Sequence, residues 1–408
     1  MNKISKIRFK GYSEEVRRKL LKQLVKLDGR IGFRGYTKQD IVERSNGILA
    51  YSPTNILNNK IVNGKNDTYI SQAKYEESPE IMVKKNNILF VKTGSTLGKS
   101  SIVRELTEPA TINPQLIVIK TLHVDSDYLA VYLLTDSIQK QIFQSKIGGA
   151  VPTLTETEIG KFIISLPSLA EQSAIGSLFR TLDDLLSNYK DNLANFQSLK
   201  ATMLSKMFPK AGQTVPEIRL DGFEGEWEKL KLRDVVHTNP KSELPENFKY
   251  IDLESVVGTR INKIREERKI SAPSRAQRLA KKGDVFYQTV RPYQKNNYLF
   301  KLDEIDYVFS TGYAQLRPIF NRCDSDFLLI LLQNSRFLSN VLDRCTGTSY
   351  PAINVNDLIE ILIAIPSYEE QQAIGSYFSN LDNLINSHQE KITQLETLRK
   401  KLLQDMFI

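Results

Sequence analysis

The chain is poor in the residues that build disulfides and metal centres. Its 408 residues include two cysteines, three histidines and one tryptophan. Cys323 and Cys345 are too few for a disulfide framework, and we expect both to be reduced thiols that pack in the interior. The histidines are scattered at His123, His237 and His388, so the sequence predicts no zinc cluster.

Long apolar runs are also absent, since none approaches the ~20 residues that a membrane-spanning helix needs. A hydrophobic content of 41% and a charged content of 25% are typical of a soluble globular protein. Residues 1–15 are charged and lack the apolar segment of a secretory signal. We therefore expect a cytoplasmic protein without a membrane partner, long enough for two domains.

Acidic residues are outnumbered by basic ones, 47 to 56, which gives a formal net charge of +9. A basic balance favours a polyanionic partner such as nucleic acid. Composition suits a basic soluble protein without such a partner equally well. The organisation of the chain therefore has to decide between these alternatives.

A long internal repeat is the most informative feature that is present. Residues 167–208 recur as residues 366–407, displaced by 199 positions without a gap and with 16 of 42 positions identical. Such a repeat divides the chain into a variable block, a shared segment, a second variable block and the shared segment again. The predicted domains are a first block at 1–165, a first spacer helix at 166–209, a second block at 210–364 and a second spacer helix at 365–408.

The repeated segment is predicted to be a long helix. Each copy opens, after a proline, with a capping box at Ser168–Glu171 or Ser367–Glu370, in which hydroxyl and carboxylate can satisfy the first free amides. Apolar residues then recur at heptad spacing, which indicates helices that pair with each other. The predicted pairing residues are Ile175, Leu182, Tyr189, Phe196 and Met203 in the first copy, and Ile374, Leu381, His388, Leu395 and Leu402 in the second.

If the two helices run antiparallel, their midpoints coincide. Tyr189 and Asn192 could then meet His388 and fix the register, although these polar groups could equally extend to solvent. A helix of about 40 residues is about 60 Å long. Along DNA that length corresponds to slightly less than two helical turns, so the helix pair would act as a spacer between two binding sites.

The variable blocks are also related to each other. Residues 7–12 resemble residues 218–223, and Asp125–Leu129 reappears as Asp324–Leu328 at the same offset of 199. Alternating patterns predict strands and helices in both blocks, at Ile88–Lys92, Val285–Gln288, about Tyr128–Gln144 and about Phe327–Val341. The fold class is therefore mixed α/β: two globular domains joined by an antiparallel coiled coil, with a pseudo-two-fold internal repeat.

The sequences diverge in polar loops, which suits two recognition sites for different targets on a common frame. Gln, Asn and Arg can make paired hydrogen bonds to adenine and guanine edges, whereas Lys suits phosphates. Any single polar loop residue can equally be a solvated turn. The predicted DNA-binding residues are Thr93, Ser95, Lys99, Ser100 and Thr153 in the first block, and Gln288, Arg291, Tyr293, Lys295, Asn296, Thr348, Ser349 and Tyr350 in the second.

Some segments resemble catalytic motifs but lack residues that those motifs require. Gly94–Ser100 is one residue short of a phosphate-binding loop, because position 93 is threonine. Asn113-Pro114-Gln115 and Asn239-Pro240-Lys241 start like an amino-methyltransferase motif but lack its second proline and its aromatic residue. The sequence therefore predicts a non-catalytic chain without a cofactor or metal site of its own.

The repeated motif P-S-x-x-E-Q-x-A-I-G-x-x-F-x-x-L-D resembles the specificity subunits of type I restriction–modification systems, and the resemblance covers essentially the whole chain. It implies that each block is a target recognition domain for one half of a bipartite, asymmetric double-stranded DNA target, and that the helices set the gap. The residues that carry it are Pro167, Ser168, Glu171, Gln172, Ala174, Ile175, Gly176, Phe179, Leu182 and Asp183, with counterparts 199 positions later.

The resemblance also implies partners. Such a subunit recruits two methyltransferase subunits, which use S-adenosylmethionine to methylate adenine, and restriction subunits that translocate DNA with ATP and Mg²⁺. The helices would carry the methyltransferase contacts, with Arg180, Lys190, Lys391 and Lys400 as outward candidates. The alternative is a stand-alone double-stranded DNA-binding or scaffold protein without enzyme partners; an autonomous enzyme would need catalytic residues that the sequence does not show.

Overall fold

The structure is a computed structural model that describes residues 7–347 and 349–407, except for the side chain of Phe33. The chain divides into two compact units. The first unit comprises Met1–Tyr189 and Lys391–Ile408, and the second comprises Lys190–Glu390. Each of the two long helices therefore contributes residues to both units. The predicted domain boundaries, which separate helices from blocks, stay a prediction.

The first unit contains short strands that form two four-stranded sheets and two two-stranded sheets within the described residues. The sheet orders are β2-β11-β8-β9, β10-β4-β7-β3, β1-β12 and β5-β6, for strands β1 (Arg17–Leu20), β2 (Val25–Gly29), β3 (Ile41–Val42), β4 (Ile48–Tyr51), β5 (Ile56–Leu57), β6 (Lys60–Ile61), β7 (Thr68–Ile70), β8 (Ile88–Val91), β9 (Ser100–Ile102), β10 (Ala110–Ile112), β11 (Leu116–Thr121) and β12 (Ile163–Leu166). Its helices are α1 (Gln72–Glu76), α2 (Ser126–Tyr132), α3 (Asp136–Ser145), α4 (Glu156–Gly160) and the start of α5 (Leu169–Lys206).

The second unit repeats this plan. Its sheet orders are β14-β23-β20-β21, β18-β15-β22-β19, β13-β24 and β16-β17, for strands β13 (Glu228–Lys231), β14 (Val236–Thr238), β15 (Asn247–Ile251), β16 (Val256–Val257), β17 (Arg260–Ile261), β18 (Arg265–Arg268), β19 (Ala276–Leu279), β20 (Val285–Gln288), β21 (Tyr298–Leu299), β22 (Tyr307–Ser310), β23 (Tyr313–Pro318) and β24 (Leu362–Ile365). Its helices are α6 (Ser325–Gln333), α7 (Ser335–Leu342), α8 (Val355–Ile359) and the start of α9 (Tyr368–Met406). The mixed α/β fold with an internal repeat is confirmed.

Single helices were expected at about 128–144 and 327–341, and this prediction is wrong in one respect. Each segment forms two consecutive helices. Thr135 is extended between α2 and α3, with φ −69° and ψ 152°. Asn334 is extended between α6 and α7, and its side chain accepts a hydrogen bond from the Arg336 amide at 2.8 Å. Asparagine offers such a cap readily, so the chain ends one helix and starts the next at this residue.

The central sheet of each unit is covered on both faces. All four residues of β8 are buried; Ile88 and Phe90 face one apolar cluster, whereas Leu89 and Val91 face another. This alternation follows from the period of two in a strand. The strand predicted at Ile88–Lys92 is confirmed as Ile88–Val91, but burial on both faces gives it a continuous apolar run in place of the predicted alternation.

The Met-Phe pair that ends each repeat lies in a core. The Phe407 ring lies 5.6 Å from the rings of Tyr128 and Tyr132 and 5.8 Å from that of Phe179, between centroids. In the second unit the Phe208 ring lies 5.8 Å from the rings of Trp227 and Phe327. The end of each long helix therefore completes the aromatic core of one unit.

The two helices pair in an antiparallel sense inside each unit, as predicted. In the first unit Arg399 Nε donates to Asp183 Oδ1 at 2.6 Å, and in the second Lys200 Nζ donates to Asp382 Oδ1 at 2.5 Å. In both pairs a residue late in one helix meets a residue early in the other, which requires opposite directions.

Several of the predicted pairing residues lie in apolar or ring contacts that join the two helices. Phe196 and Met203 pack on the cluster that holds Ile374 and Leu381, and Leu402 packs on the cluster that holds Ile175. The His388 ring lies 5.2 Å from that of Phe196. Its meeting with Tyr189 and Asn192 stays a prediction. Buried members are Ile175, Leu182, Ile374 and Leu381; half-buried members are Tyr189, Phe196, Met203, His388, Leu395 and Leu402.

The repeated motif residues dock each long helix on its own unit. The Gln172 side chain accepts from the Asp125 amide at 3.0 Å and donates to the Pro167 carbonyl at 2.9 Å. Gly176 lies where an added Cβ would stand 2.7 Å from Asp127 Cβ and 2.9 Å from the Tyr128 amide nitrogen. The second copy repeats these contacts through Gln371 and Gly375. Glutamine and glycine thus join the helix to the start of α2 or α6.

The predicted capping boxes are half confirmed. Ser168 Oγ accepts from the Glu171 amide at 3.4 Å, and Ser367 Oγ from the Glu370 amide at 3.3 Å. The prediction for the carboxylates is wrong, because both are buried and accept from arginines in the segments that precede β1 and β13. Glu171 accepts from Arg8 and Glu370 from Arg219.

Candidate nucleic-acid interface

In the first unit the fold brings the two predicted loops together. Thr93 and Thr153 form an antiparallel β-bridge. On either side of it, the Gly94 amide donates to the Pro152 carbonyl at 3.0 Å and the Leu154 amide donates to the Lys92 carbonyl at 2.8 Å. We call residues 93–99 and 147–153 the first loop pair. These two backbone hydrogen bonds, which make the bridge, fix the loops relative to each other.

The second unit joins its loops at equivalent positions. Val290 and Ala352 form the bridge. The Arg291 amide donates to the Pro351 carbonyl at 2.7 Å, and the Ile353 amide donates to the Thr289 carbonyl at 3.0 Å. We call residues 289–297 and 346–352 the second loop pair. Thr348, predicted to bind DNA, lies outside the described residues.

The first loop pair presents few large side chains. Ser95 and Lys99 are exposed, whereas Thr93 and Thr153 are half-buried. Ser100 must be removed from the set of surface residues, because it belongs to β9 and only 1% of it is exposed. The loop ends there and the strand enters the interior.

Apolar side chains at the first loop pair were missed by sequence reasoning. Ile147 and Val151 are each 60% exposed. Isoleucine and valine signal a core in a sequence pattern, and only the fold shows that these two lie at a surface. Apolar contact with the thymine methyl group is one of the ways in which proteins read DNA.

The second loop pair is richer in aromatic and cationic groups. Tyr293 and Tyr350 are 49% and 64% exposed, and Ser349 is exposed. The guanidinium carbon of Arg291 lies 4.1 Å from the ring centroid of Tyr350, so the cation stacks on the aromatic face. The two loop pairs thus share a backbone arrangement and differ in chemistry.

Three predicted DNA-binding residues brace the second loop pair instead. Gln288 is 1% exposed, and its Nε2 donates to the Val290 carbonyl at 2.6 Å and to Gln294 Oε1 at 2.8 Å. Lys295 Nζ donates to the Gln333 carbonyl at 2.9 Å, and burial lowers the pKa of this amine. Asn296 Oδ1 accepts from the Gly258 amide at 2.9 Å. Gln288 Nε2, Lys295 Nζ and Asn296 Oδ1 are therefore engaged in contacts within the protein, so these three residues are no longer proposed to contact DNA.

The described residues also bear on metal binding, thiol chemistry and membrane insertion. Among them, no group of three or more His, Cys, Asp or Glu side chains could hold a metal ion. Cys323 and Cys345 are free, and burial raises the pKa of the Cys323 thiol. Among the described helices, none is both long and apolar enough to cross a membrane.

Comparison with known proteins identifies the family. The family described as "Type I restriction modification DNA specificity domain" matches residues 20–195 and residues 224–397. The chain belongs to this family. The match covers both variable blocks and most of both helices, so the internal repeat is a duplication of the specificity domain.

Individual relatives agree with this assignment. The MjaVIII type I restriction enzyme specificity subunit of Methanocaldococcus jannaschii is 26% identical over 346 residues, which cover 79% of each chain. The putative MjaX specificity subunit of the same organism is 23% identical over 360 residues, covering 82% of this chain and 80% of the relative. The chain is therefore similar to type I specificity subunits over most of its length.

A solved structure shows the same fold. The S subunit of the type I restriction–modification system of M. genitalium superposes with a TM-score of 0.64 at 15% sequence identity. The superposition covers 100% of this chain and 99% of that one. The specificity-subunit fold therefore extends across the whole chain.

Proposed function

We propose that this specificity subunit reads a bipartite, asymmetric double-stranded DNA target, with one loop pair for each half. The observation that carries the proposal is the equivalence of the two bridges, Thr93–Thr153 and Val290–Ala352. The same backbone device holds two different sets of exposed side chains. Equivalent positions argue for a shared task, and different side chains argue for different base sequences.

The exposed groups have the chemistry that DNA recognition needs. Lys99 can contact phosphate, which positions a protein without specifying sequence. Ser95 and Arg291 can hydrogen-bond to base edges in the major groove. A net charge of +9 supports attraction to the polyanion. Backbone contacts inside each loop pair limit the entropy that would be lost on binding.

We further propose that the chain recruits two methyltransferase subunits and restriction subunits, and is itself not catalytic. Its similarity to proteins named as subunits of restriction enzymes supports this division of labour. S-adenosylmethionine, ATP and Mg²⁺ would then bind to the partners. Arg180, Lys190, Lys391 and Lys400 are exposed on α5 and α9. They are the candidates for contact with methyltransferase subunits.

A map of methylated adenines in the host genome, with this gene intact and deleted, tests the proposal. Loss of one bipartite motif on deletion is the expected result, and complementation with the intact gene should restore that motif. An unchanged map would contradict a role in modification. Copurification would then distinguish two cases. A stand-alone DNA-binding or scaffold protein would be isolated without enzyme subunits, whereas a subunit of an inactive system would be isolated with them.

A further inference from the structure

Arg291 has a backbone conformation that arginine rarely adopts. Its φ and ψ are both 54°, in the left-handed region. The equivalent residue of the first loop pair is Gly94, with φ 108°, and both residues donate their amide to the carbonyl of the matching proline. Glycine adopts positive φ without a steric penalty, whereas arginine does not. The second unit therefore keeps a large cation where the fold favours glycine.

The surroundings of Arg291 hold its side chain in place without using its hydrogen-bonding groups. The guanidinium stacks on Tyr350. Its Nε is buried and has no hydrogen-bond partner among the described residues. No ion pair joins the guanidinium to a carboxylate among the described residues either. A strained residue with unused donors at a surface indicates a functional role rather than a structural one.

We propose that Arg291, placed over the ring of Tyr350, reads a guanine in the half of the target that the second unit recognises. This inference rests on the proposed function. A planar guanidinium donates two parallel hydrogen bonds that match guanine O6 and N7 in the major groove. The ring of Tyr350, 4.1 Å from the guanidinium carbon, limits the positions open to that group before DNA binds.

The bracing of the second loop pair supports this assignment. Gln288 holds the loop from within through Val290 and Gln294, and the Thr289 hydroxyl donates to the Gly312 carbonyl at 2.8 Å. Reading residues act with the greatest discrimination when neighbouring groups fix their position. Gly94 has no side chain, so the first unit cannot read a base from the corresponding position.

The variant Arg291→Gly tests the inference with little risk to folding, because Gly94 already occupies this loop position in the first unit. Adenine methylation is mapped in the host with the complete modification complex carrying wild-type, R291G or R291K chains. In R291G we expect preference for guanine at one position of one half-target to fall about 10- to 100-fold. The other half-target should be unchanged, and the melting temperature should not fall.

The lysine variant separates geometry from charge. R291K keeps the cation but cannot donate the two parallel bonds, so it too should lose the guanine preference. Lys282→Ala is the control, because Lys282 is exposed, pairs with Asp303 and lies outside the second loop pair; it should leave both half-targets unchanged. If R291G and R291K keep the wild-type base at every position, the inference is overturned while the specificity role stands. If the wild-type chain directs no bipartite motif, the proposed function itself fails.

Discussion

At the scale of single residues, the repeated motif is explained by the contacts that dock each long helix on its own unit. Glu370 is 1% exposed and Arg219, from the segment before β13, reaches it with Nε at 2.8 Å and a second nitrogen at 2.6 Å. A buried carboxylate is tolerated only when a cation and hydrogen bonds compensate for lost hydration. The motif glutamate is thus retained in both copies together with its arginine.

Replacing Arg219 with glutamine should destabilise the second unit. The substitution leaves the Glu370 carboxylate buried without its cation, and breaking such a pair on one side costs about 3 to 5 kcal/mol. The melting temperature of the purified chain, followed by calorimetry, is the measurement. Arg233→Gln is the matched control, because Arg233 pairs with Glu360 at an exposed site and such pairs contribute little. Equal melting temperatures for the two variants would contradict this account.

Residues whose role depends on a distant partner could not be predicted. The strand predicted at Val285–Gln288 is confirmed as β20, because the signal for a strand lies within its own few residues. Glu370 was assigned to a capping box because Arg219 lies 151 positions away in the sequence. Gln288 was assigned to DNA because glutamine is polar, and only the fold shows that its amide is used inside the loop. Asn334 interrupts an apolar spacing that continues on both sides, so the helix break was missed.

At the scale of elements, the two long helices belong to both units. Asp183 pairs with Arg399 in the first unit, and Lys200 pairs with Asp382 in the second. Each unit therefore depends on its own segment of α5 and its own segment of α9. The heptad spacing was visible in sequence because paired helices repeat their contacts at a regular interval.

Adding one heptad to both helices should widen the unspecified gap of the DNA target. The insertions belong between Tyr189 and Lys190 and between Glu390 and Lys391, where the chain passes from one unit to the other. Seven residues add about 10 Å, or about three base pairs. Both half-targets should stay the same in the adenine methylation map.

Inserting a heptad in both helices preserves the Asp183–Arg399 and Lys200–Asp382 ion pairs. Inserting a heptad in one helix alone does not preserve both. A heptad in α5 alone shifts one helix past the other by two turns and should destabilise the chain. That variant is the control for nonspecific effects. A paired insertion that leaves the gap at its wild-type length would show that the helices are not the spacer.

At the scale of the whole molecule, the first unit needs parts from both ends of the chain. Tyr128 and Tyr132 come from the first variable block, Phe179 from α5 and Phe407 from the end of α9, and their rings form one cluster. Aromatic side chains of this kind contribute heavily to a core. The first variable block can therefore be replaced by that of another family member only if the new block carries side chains that fit this cluster.

Exchanging residues 1–165 for the block of another family member should change one half of the DNA target. The donor must hold apolar residues at the positions of Tyr128 and Tyr132, because both contact Phe407, which the exchange retains. A donor with polar residues there is the control, and we expect it to melt at a lower temperature whatever DNA it reads. Under the proposed function, the half-target of the second unit is read by residues that the exchange leaves in place, Arg291 and Tyr350 among them. A methylation map in which both halves change would therefore show that the two units do not read DNA independently.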